Sequence, residues 1–509
     1  MSVVLDGNSL TIDKVIAVAR KGEKVEIAPQ AIERIKKCRK MLDEKVEKQE
    51  VMYGVTTGIG ELAEVVLNPD QVKDFQKYLI YSHAAGYGEP MQIEDARGAM
   101  LSRANVHCHG QSGVRPEVTL QIVALLNKGV TPVMSQHGSV GACGDLSPMS
   151  QFALALMGEG EAFYNGERLP AAEALKKAGI EPLEFLARDG LACINGSNCI
   201  TSMGSIQMHD MDVFLKTSEI AGSMTLEVLN AQMISFDERI HKARGFQGSV
   251  DSASNIRKIT QDSDMLSGVL GKKKVQDAYS LRSTPQIVGS AKDALKWARA
   301  QFLIELNGVG DNPVFFPDEG DVIPGANFQG TPLAFPLELM TTSLTTVAVL
   351  SERRTNRLMN SHLSCGLPPF LTKGAGLMSG LMLTQYTQGM LIAECRVLSS
   401  PAATLSVPAA ADQEDFVSMG MTSAIKSRKV IEHTSAVIGI EMMAAAQAMD
   451  FRKPHKPGKG SQAAYNLIRE NVDFLDKDRP TYNDNNKMAE LVRSGKILEA
   501  VENAVGKLV

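Results

Sequence analysis

Apolar residues recur every three or four positions over long stretches of this chain, which is the spacing of helices with buried faces. The long helices that this pattern predicts cover residues 202–234, 285–306, 333–359 and 424–451. Segments 333–350 and 434–449 are apolar on nearly every side, and such helices are normally buried among other helices. The pattern therefore predicts a mainly α fold with a long central helical bundle.

The pattern changes towards both ends of the chain. Before residue 200, glycine-rich turns alternate with short predicted helices such as 70–82 and 116–128, and loops on a rigid scaffold often carry chemistry. After residue 450, the stretch FRKPHKPGKGSQ is typical of a linker and precedes short charged helices. We therefore predict three regions, namely an N-terminal region over 1–200, the bundle over 201–450 and a charged helical tail over 451–509.

Composition and charge narrow the class of protein. The net charge of -5 argues against nucleic acid or an anionic membrane as the partner, and no uncharged apolar run reaches about 18 residues. Seven cysteines without paired spacing favour a reducing compartment. His107-Cys108-His109 lacks a second cluster with ligand spacing, so we expect no metal site. We expect a soluble cytoplasmic protein without a membrane or nucleic-acid partner.

One short segment, GSVGACGDLSP at 138–148, concentrates glycine beside a cysteine and an aspartate. Its glycines and its alanine leave room for a sharp bend in which the Gly144 nitrogen approaches the Ala142 carbonyl carbon. Ring closure there, followed by β-elimination of the Cys143 heteroatom, would give a conjugated methylidene electrophile. The simpler interpretation is a glycine-rich turn before a helix, with Asp145 near the N-cap. Both interpretations can hold together.

This segment resembles the cofactor-forming segment of the aromatic amino acid ammonia-lyases and aminomutases, a family that includes histidine, phenylalanine and tyrosine ammonia-lyases. In the family's usual form, GSVGASGDLAPL, the Ala-Ser-Gly tripeptide cyclises to 4-methylidene-imidazole-5-one (MIO). Other stretches resemble further blocks of the family in the same order: YGVTTGIG at 53–60, SHAAG at 82–86, INGSN at 194–198, VQDAYSLRSTPQ at 275–286, DNPVF at 311–315, GANFQGTP at 325–332 and QEDFVSMG at 413–420.

Cys143 departs from the family pattern, which has serine at this position. Serine loses its hydroxyl as water, whereas cysteine would lose hydrogen sulfide by the same β-elimination and leave the same ring. We therefore expect MIO to form, at least in part, from Ala142, Cys143 and Gly144 without an external cofactor. The alternative is a chain in which the cysteine stops maturation.

The resemblance also implies roles for individual residues. Tyr53 would be the base that removes the β-proton, with a pKa depressed by electropositive surroundings. Asn195 would hydrogen-bond the MIO carbonyl, and Arg282 would bind the substrate carboxylate. Tyr279 would join Tyr53, Asn195 and the tripeptide as a catalytic residue. The remaining matched positions, expected to bind or orient the substrate, are His83, Gln276, Phe328, Gln329, Gln413 and Glu414.

The family's reaction removes ammonia from an L-amino acid and leaves a trans-α,β-unsaturated acid. Glu414 and His83 suit a polar heterocycle, because burying both against bare phenyl would leave polar groups unpaired at a cost of roughly a few kcal/mol. L-Histidine, converted to trans-urocanate, is therefore the expected substrate. Tyrosine stays open, since its phenol can bond His83 and since Phe416 replaces the histidine of the family's QEDHVSM. Phenylalanine is disfavoured.

Two other functions stay open. A 2,3-aminomutase would use the same residues and return ammonia to the β-carbon, and a non-catalytic helical scaffold would have lost the family's serine. The resemblance implies a fold like the fumarase and aspartase superfamily, with the tyrosine loop and the MIO segment in the N-terminal region. It also implies a homotetramer in which three chains contribute to each active site, so that Tyr53, Cys143 and Arg282 would meet only across subunits.

Overall fold

Helices make up most of the protein, as the apolar spacing predicts. The computed structural model describes residues 2–509, apart from the side chain of Lys73. Within them the α-helices, α1 to α19 in chain order, are Ile12–Ala19, Pro29–Glu47, Pro69–His83, Ile93–His107, Pro116–Lys128, Leu146–Leu156, Ala171–Ala178, Asp189–Ile194, Asn198–Val228, Glu238–Arg244, Gln247–Ile259, Tyr279–Arg282, Thr284–Leu306, Thr331–Met359, Met382–Leu398, Gly420–Arg452, Lys459–Asn471, Tyr482–Arg493 and Lys496–Val505. The predicted mainly α fold is confirmed.

Short strands lie between some of these helices. In chain order β1 to β9 are Val3–Leu5, Val25–Ile27, Tyr87–Pro90, Thr131–Pro132, Ser135–His137, Glu161–Tyr164, Glu167–Pro170, Val314–Phe316 and Asp321–Ile323. β1 pairs with β2 in parallel, whereas β3 with β5, β4 with β6, β6 with β7, and β8 with β9 pair antiparallel. Single 3₁₀ turns cover Gly60–Leu62, Met233–Phe236, Asp264–Leu266, Pro369–Leu371 and Ala402–Thr404. These sheets of two or three strands are too small to form a layer of their own.

The long helices match their predicted bounds closely, with one exception. α13, α14 and α16 begin and end within a few residues of the prediction, whereas α9 ends at Val228 and does not run to residue 234. Asn230 adopts a left-handed conformation with φ of 55°, and the Ala231 N–H donates to the Leu226 carbonyl. This hydrogen bond closes a helix C-terminus, although the apolar pattern continues beyond it.

Packing groups the chain into two compact units. The first comprises Met1–His209, Ala298–Glu338 and Pro401–Ile425, and the second comprises Asp210–Trp297, Leu339–Ser400 and Lys426–Val509. Each unit gathers stretches that are distant in sequence. The three consecutive regions expected from composition describe a division along the chain, and they stay a prediction.

A buried ion pair joins α14 to α16 within the second unit. The Arg354 guanidinium donates to both carboxylate oxygens of Glu441, at 2.5 and 2.8 Å, and both side chains are fully buried. The Thr225 hydroxyl on α9 donates to the same carboxylate at 2.9 Å. An apolar cluster on α14, α15 and α16 consists of Ala348, Ile392 and Val437. Helices of the predicted bundle are thus connected by a polar contact and by apolar packing.

α14 is the helix that hydropathy alone would assign to a membrane. Among the described residues it alone is long and apolar enough to cross one, and 67% of its most apolar window is buried in the protein. Such burial is typical of a core helix of a soluble protein. Packing within the protein therefore accounts for the apolar run that begins near residue 333.

We expect Glu441→Gln to lower the free energy of unfolding by about 3–5 kcal/mol, because it leaves the Arg354 charge buried without its partner. Equilibrium urea denaturation followed by circular dichroism measures the loss. Glu432→Gln is the matched control on the same helix, since Glu432 forms a partly exposed pair with Lys429 and should change the free energy by less than about 1 kcal/mol. Equal effects of the two substitutions would contradict a structural role for the buried pair.

Candidate active site

The segment Gly141–Asp145 folds into a tight backbone loop just before α6. Gly141 pairs with Gly144 across the loop, and Gly144 pairs with Gly196 beside it. The Gly196 N–H donates to the Cys143 carbonyl at 3.0 Å, and the Asp145 N–H donates to the Gly196 carbonyl at 2.9 Å. Cys143 itself has a φ of 52°, a left-handed conformation that is uncommon for a residue with a side chain. The backbone therefore turns tightly at Cys143, and the approach of the Gly144 nitrogen to the Ala142 carbonyl carbon stays a prediction.

Two glycines of the loop have no room for a side chain. A Cβ on Gly144 would lie 2.1 Å from the Gly196 carbonyl carbon, and one on Gly141 would lie 2.0 Å from the Ser418 Oγ. Both glycines also have a φ of 85°, in the region that favours glycine. Their identity is thus required by close approach as well as by conformation.

Asp145 acts differently from the expected helix cap. It occupies the N-cap position of α6, but its carboxylate makes no capping hydrogen bond to that helix. Oδ1 accepts from the Ser139 hydroxyl at 2.8 Å, and Oδ2 accepts from the Ile200 N–H at 3.0 Å in the first turn of α9. Burial raises the pKa of Asp145 to about 6. The carboxylate therefore fastens the loop to α9, because unpaired N–H groups at a helix start attract an acceptor.

Asn195, at the C-cap of α8, has unused hydrogen-bonding capacity beside the loop. Its side chain is buried, with 2% of the residue exposed, and its Oδ1 has no partner among the described residues. Its main-chain carbonyl accepts from the Arg103 guanidinium. A buried amide left partly unpaired costs stability, so its position next to the Gly196–Cys143 contact is consistent with a group that serves a ring formed there.

A cavity of about 410 Å³ opens in front of Cys143 within the first unit. Seven residues of the sequence-predicted site line it, namely Tyr53, Ala142, Cys143, Phe328, Gln329, Gln413 and Glu414. The other lining residues are Asn312, Pro324, Gly325, Ala326, Asp415 and Phe416. No site role was predicted for these six residues, although all but Pro324 fall within stretches that resemble the family.

Glu414 contacts the sulfur of Cys143 inside this cavity. The thiol Sγ donates to Glu414 Oε1 at 3.1 Å, across 271 positions of sequence. Burial, and then the negative charge of Glu414, raise the pKa of Cys143 well above its usual range. The sulfur is therefore held as a protonated thiol, which is a weak nucleophile.

Tyr53 lines the same cavity, but its electrostatic environment is the opposite of the expected one. Its hydroxyl accepts a hydrogen bond from the Gly60 N–H at 3.1 Å. Burial raises its pKa most, the hydrogen bond from Gly60 lowers it, Cys143 and Glu414 raise it further, and Arg188 lowers it. The expected depression of the pKa is thus wrong for this chain, because burial disfavours the phenolate and the neighbours in the cavity are a thiol and a carboxylate. Of the three residues expected to meet only across subunits, one chain already brings Tyr53 and Cys143 to one cavity, whereas the meeting with Arg282 across subunits stays a prediction.

The remaining predicted residues lie elsewhere. His83 ends α3, where its Nδ1 lies 2.8 Å from the Leu79 carbonyl, and it is not among the residues that line the cavity. Gln276, Tyr279 and Arg282 belong to the second unit. There the Arg282 guanidinium lies 4.7 Å from the centre of the Tyr279 ring, and its buried Nε has no partner among the described residues. Their contribution to the site stays a prediction.

His107, in the 107–109 segment, serves the structure. His107, at the end of α4, is fully buried, and its Nδ1 and Nε2 lie 3.1 Å from the Thr119 hydroxyl and 2.9 Å from the Ala192 carbonyl. Burial lowers its pKa to about 3. Over the described residues no three histidine, cysteine, aspartate or glutamate side chains form a group that could hold a metal ion.

The chain is similar to known proteins over nearly its whole length. A family model described as aromatic amino acid lyase matches residues 10–470. A histidine ammonia-lyase of Alkaliphilus metalliredigens is 43% identical over 506 residues, which are 99% of this chain and 99% of that protein. A solved tyrosine aminomutase from Streptomyces globisporus has a TM-score of 0.95 at 34% identity and covers 100% of both chains. The histidine ammonia-lyase from Trypanosoma cruzi has a TM-score of 0.92 at 34% identity, covering 99% of this chain and 96% of that one.

We expect Gly144→Ala to abolish ring closure in the 142–144 tripeptide, because the new Cβ would displace the Gly196 backbone. Intact mass spectrometry checks this, since a chain that has not cyclised retains the mass of its sequence. Gly389→Ala, in α15 with no atom within 4 Å of the added Cβ, is the control and should behave as the parent chain does. Loss of water from the Gly144→Ala chain would contradict the steric argument.

Proposed function

Because the chain belongs to the aromatic amino acid lyase family, we propose that it removes ammonia from L-histidine and releases trans-urocanate. As a member of that family it is a carbon–nitrogen lyase acting on an amino acid. Curated relatives at 40–43% identity over at least 98% of this chain carry the name histidine ammonia-lyase. This agrees with the substrate expected from Glu414, and the resemblance noted at 138–148 is confirmed at the level of the family.

The single observation that carries the substrate proposal is the carboxylate of Glu414 beside the Ala142-Cys143-Gly144 loop. Glu414 lines the cavity together with Cys143 and lies within hydrogen-bond distance of its sulfur. A carboxylate can accept the N–H of an imidazole ring, which gives a charge-assisted hydrogen bond. A phenyl ring in the same place would leave the carboxylate without a partner, at a cost of about 1–3 kcal/mol or more.

The residues present fit the family's MIO group. Ala142, Cys143 and Gly144 would form it, their bend is already tight, and Asn195 has hydrogen-bonding capacity to spare. The group supplies an electrophile that makes the amino nitrogen easier to expel. No external cofactor is needed for that chemistry.

The chain's own residues would position the substrate and move its protons. Tyr53 faces the cavity and would accept the β-proton at its phenolic oxygen. Phe328 and Gln329 line the cavity wall and would pack along the substrate. Arg282 would bind the carboxylate with its planar fork, and Tyr279 would assist it. His83 and the amides of Gln276 and Gln413 would orient the substrate.

Assembly and location complete the proposal. We propose a homotetramer with active sites shared between chains, because apolar faces remain exposed on long helices, for example Leu383, Tyr386 and Met390 on α15. We also propose a cytoplasmic location, since seven free cysteines are typical of a reducing compartment.

A 2,3-aminomutase acting on tyrosine is the second candidate. Phe416 places an aromatic ring at the cavity, and tyrosine aminomutases are among the solved structures with a TM-score of 0.95. Such an enzyme would return the ammonia to the β-carbon of the bound product. The chemical identity of the product therefore separates the two candidates.

We expect near-UV absorbance to grow when the protein is incubated with L-histidine, because trans-urocanate is conjugated. Parallel incubations with L-tyrosine and L-phenylalanine, each analysed by NMR for β-amino acid, test the alternatives. Cys143→Ala is the matched control, since it has no heteroatom to eliminate. Growth with tyrosine alone would overturn the substrate proposal, and no product with any of the three would favour the non-catalytic scaffold.

The raised pKa of Tyr53 predicts the pH dependence of the reaction. The phenol must lose its proton before it can accept one, so kcat/KM for L-histidine should rise from neutral pH into the alkaline range. A pH profile of kcat/KM measures this, and Tyr53→Phe should lower the rate by about 100-fold or more and remove the rising limb. A profile that falls above neutral pH would contradict the role of Tyr53 as the base.

A further inference from the structure

Maturation of this chain has to expel a sulfur atom that touches a carboxylate. Cys143 Sγ lies 3.1 Å from Glu414 Oε1 in a part-buried setting. We propose, building on the proposed function, that the ionised Glu414 carboxylate slows the departure of sulfur from Cys143 and thereby sets the rate at which the MIO group forms. The residue would thus have a second role, in maturation, beyond its contact with the substrate.

The proposed maturation balances in two steps. The Gly144 nitrogen attacks the Ala142 carbonyl carbon, and one water leaves with the Ala142 oxygen and the hydrogens of the Gly144 and Cys143 amides. The Cα–H of Cys143 is then removed as a proton, its electron pair forms the Cα=Cβ double bond, and the Cβ–S bond breaks with its pair on sulfur. Sulfur leaves as hydrosulfide, which takes up one proton and becomes hydrogen sulfide. No oxidant or reductant is required.

Negative charge develops on sulfur in the second step, and the cavity offers little to stabilise it. Among the described residues that line the cavity none is lysine, arginine or histidine, whereas Glu414 and Asp415 are both carboxylates. Two negative charges at about 3 Å repel one another, and they do so more strongly at a part-buried position than in bulk water. The hydrogen bond from Cys143 Sγ to Glu414 stabilises the uncharged thiol. The transition state for elimination loses this stabilisation, because sulfur becomes negatively charged in it.

A neutral amide in the place of the Glu414 carboxylate would speed up the loss of sulfur from Cys143. Glu414→Gln keeps the size of the side chain, removes the repulsion and offers an N–H that can donate to the departing sulfur. Glu414→Ala removes the repulsion but offers no donor. We therefore expect the rate of sulfur loss to increase from the parent chain to Glu414→Ala and further to Glu414→Gln.

Cell-free synthesis stopped at timed points, with intact mass and trapped sulfide measured on the full chain, tests this order. Loss of one water and one hydrogen sulfide marks the matured chain. We expect Glu414→Gln to release sulfide at least about threefold faster than the parent chain, since it removes a charge in direct contact with the leaving group. Asp415→Asn is the matched control, because it removes a charge from the same cavity without a contact to Sγ, and its effect should be smaller. Circular dichroism verifies that every variant is folded.

Each outcome decides the proposal. Equal or slower sulfide release from Glu414→Gln, an equal effect of Asp415→Asn, or complete maturation of the parent chain at the first time point would overturn it. Cys143→Ser, which would lose two waters, separates this result from failure of the proposed function. If Cys143→Ser matures and no Cys143 chain ever loses sulfur, two statements are refuted together. These are ring formation from cysteine and the slowing of sulfur loss by Glu414. If matured chains leave L-histidine unchanged, the substrate proposal fails while the order of sulfide release still stands.

Discussion

The close approach of two glycine backbones, Gly144 and Gly196, is the constraint on which the rest of the site depends. Their separation leaves no space for a Cβ, so the loop before α6 and the turn between α8 and α9 are connected by main-chain hydrogen bonds. Those bonds fix the carbonyl of Cys143 and the amide of Asp145. The Asp145 carboxylate then fastens the loop to the start of α9. A side chain on Gly144 would push apart elements that the cavity needs together, and one on Gly196 would meet the Gly310 carbonyl at 2.3 Å.

The buried carboxylate of Asp311 stabilises the residues around the Gly144–Gly196 contact. Asp311 accepts from the Arg103 guanidinium at 2.8 Å and from the Arg188 guanidinium at 2.6 Å, and all three side chains are fully buried. Arg103 also donates to the Asn195 carbonyl, and Arg188 donates to the Asn312 carbonyl at 3.0 Å. Buried charges are tolerated only when their donors and acceptors are satisfied. One carboxylate therefore fixes both Asn195, beside the loop, and Asn312, in the cavity wall.

The sequence predicted the helices well, because apolar spacing reports which faces are buried, and the resemblance to the family named seven of the thirteen residues that line the cavity. It failed where three-dimensional neighbours decide the outcome. The end of α9 depends on the left-handed Asn230, which the apolar run conceals. Asp145 bonds a helix other than the one it precedes. The pKa of Tyr53 depends first on burial and then on neighbours that include Glu414, a residue hundreds of positions away in sequence whose contact no local pattern reveals.

The electrostatics of the cavity have two sources, which are burial and the negative charge of Glu414. Burial contributes most to keeping Cys143 a thiol and Tyr53 a phenol, and Glu414 adds to it. A site that raises the pKa of its own base keeps that base protonated, and therefore unable to accept a proton, while no substrate is bound. An amino acid substrate, however, carries an ammonium group, and a cation entering such a cavity lowers the pKa of every acid it faces. The ammonium group of the substrate therefore supplies the positive charge that the residues lining the cavity lack. Because this charge arrives with the substrate, substrate binding and activation of the base Tyr53 occur together.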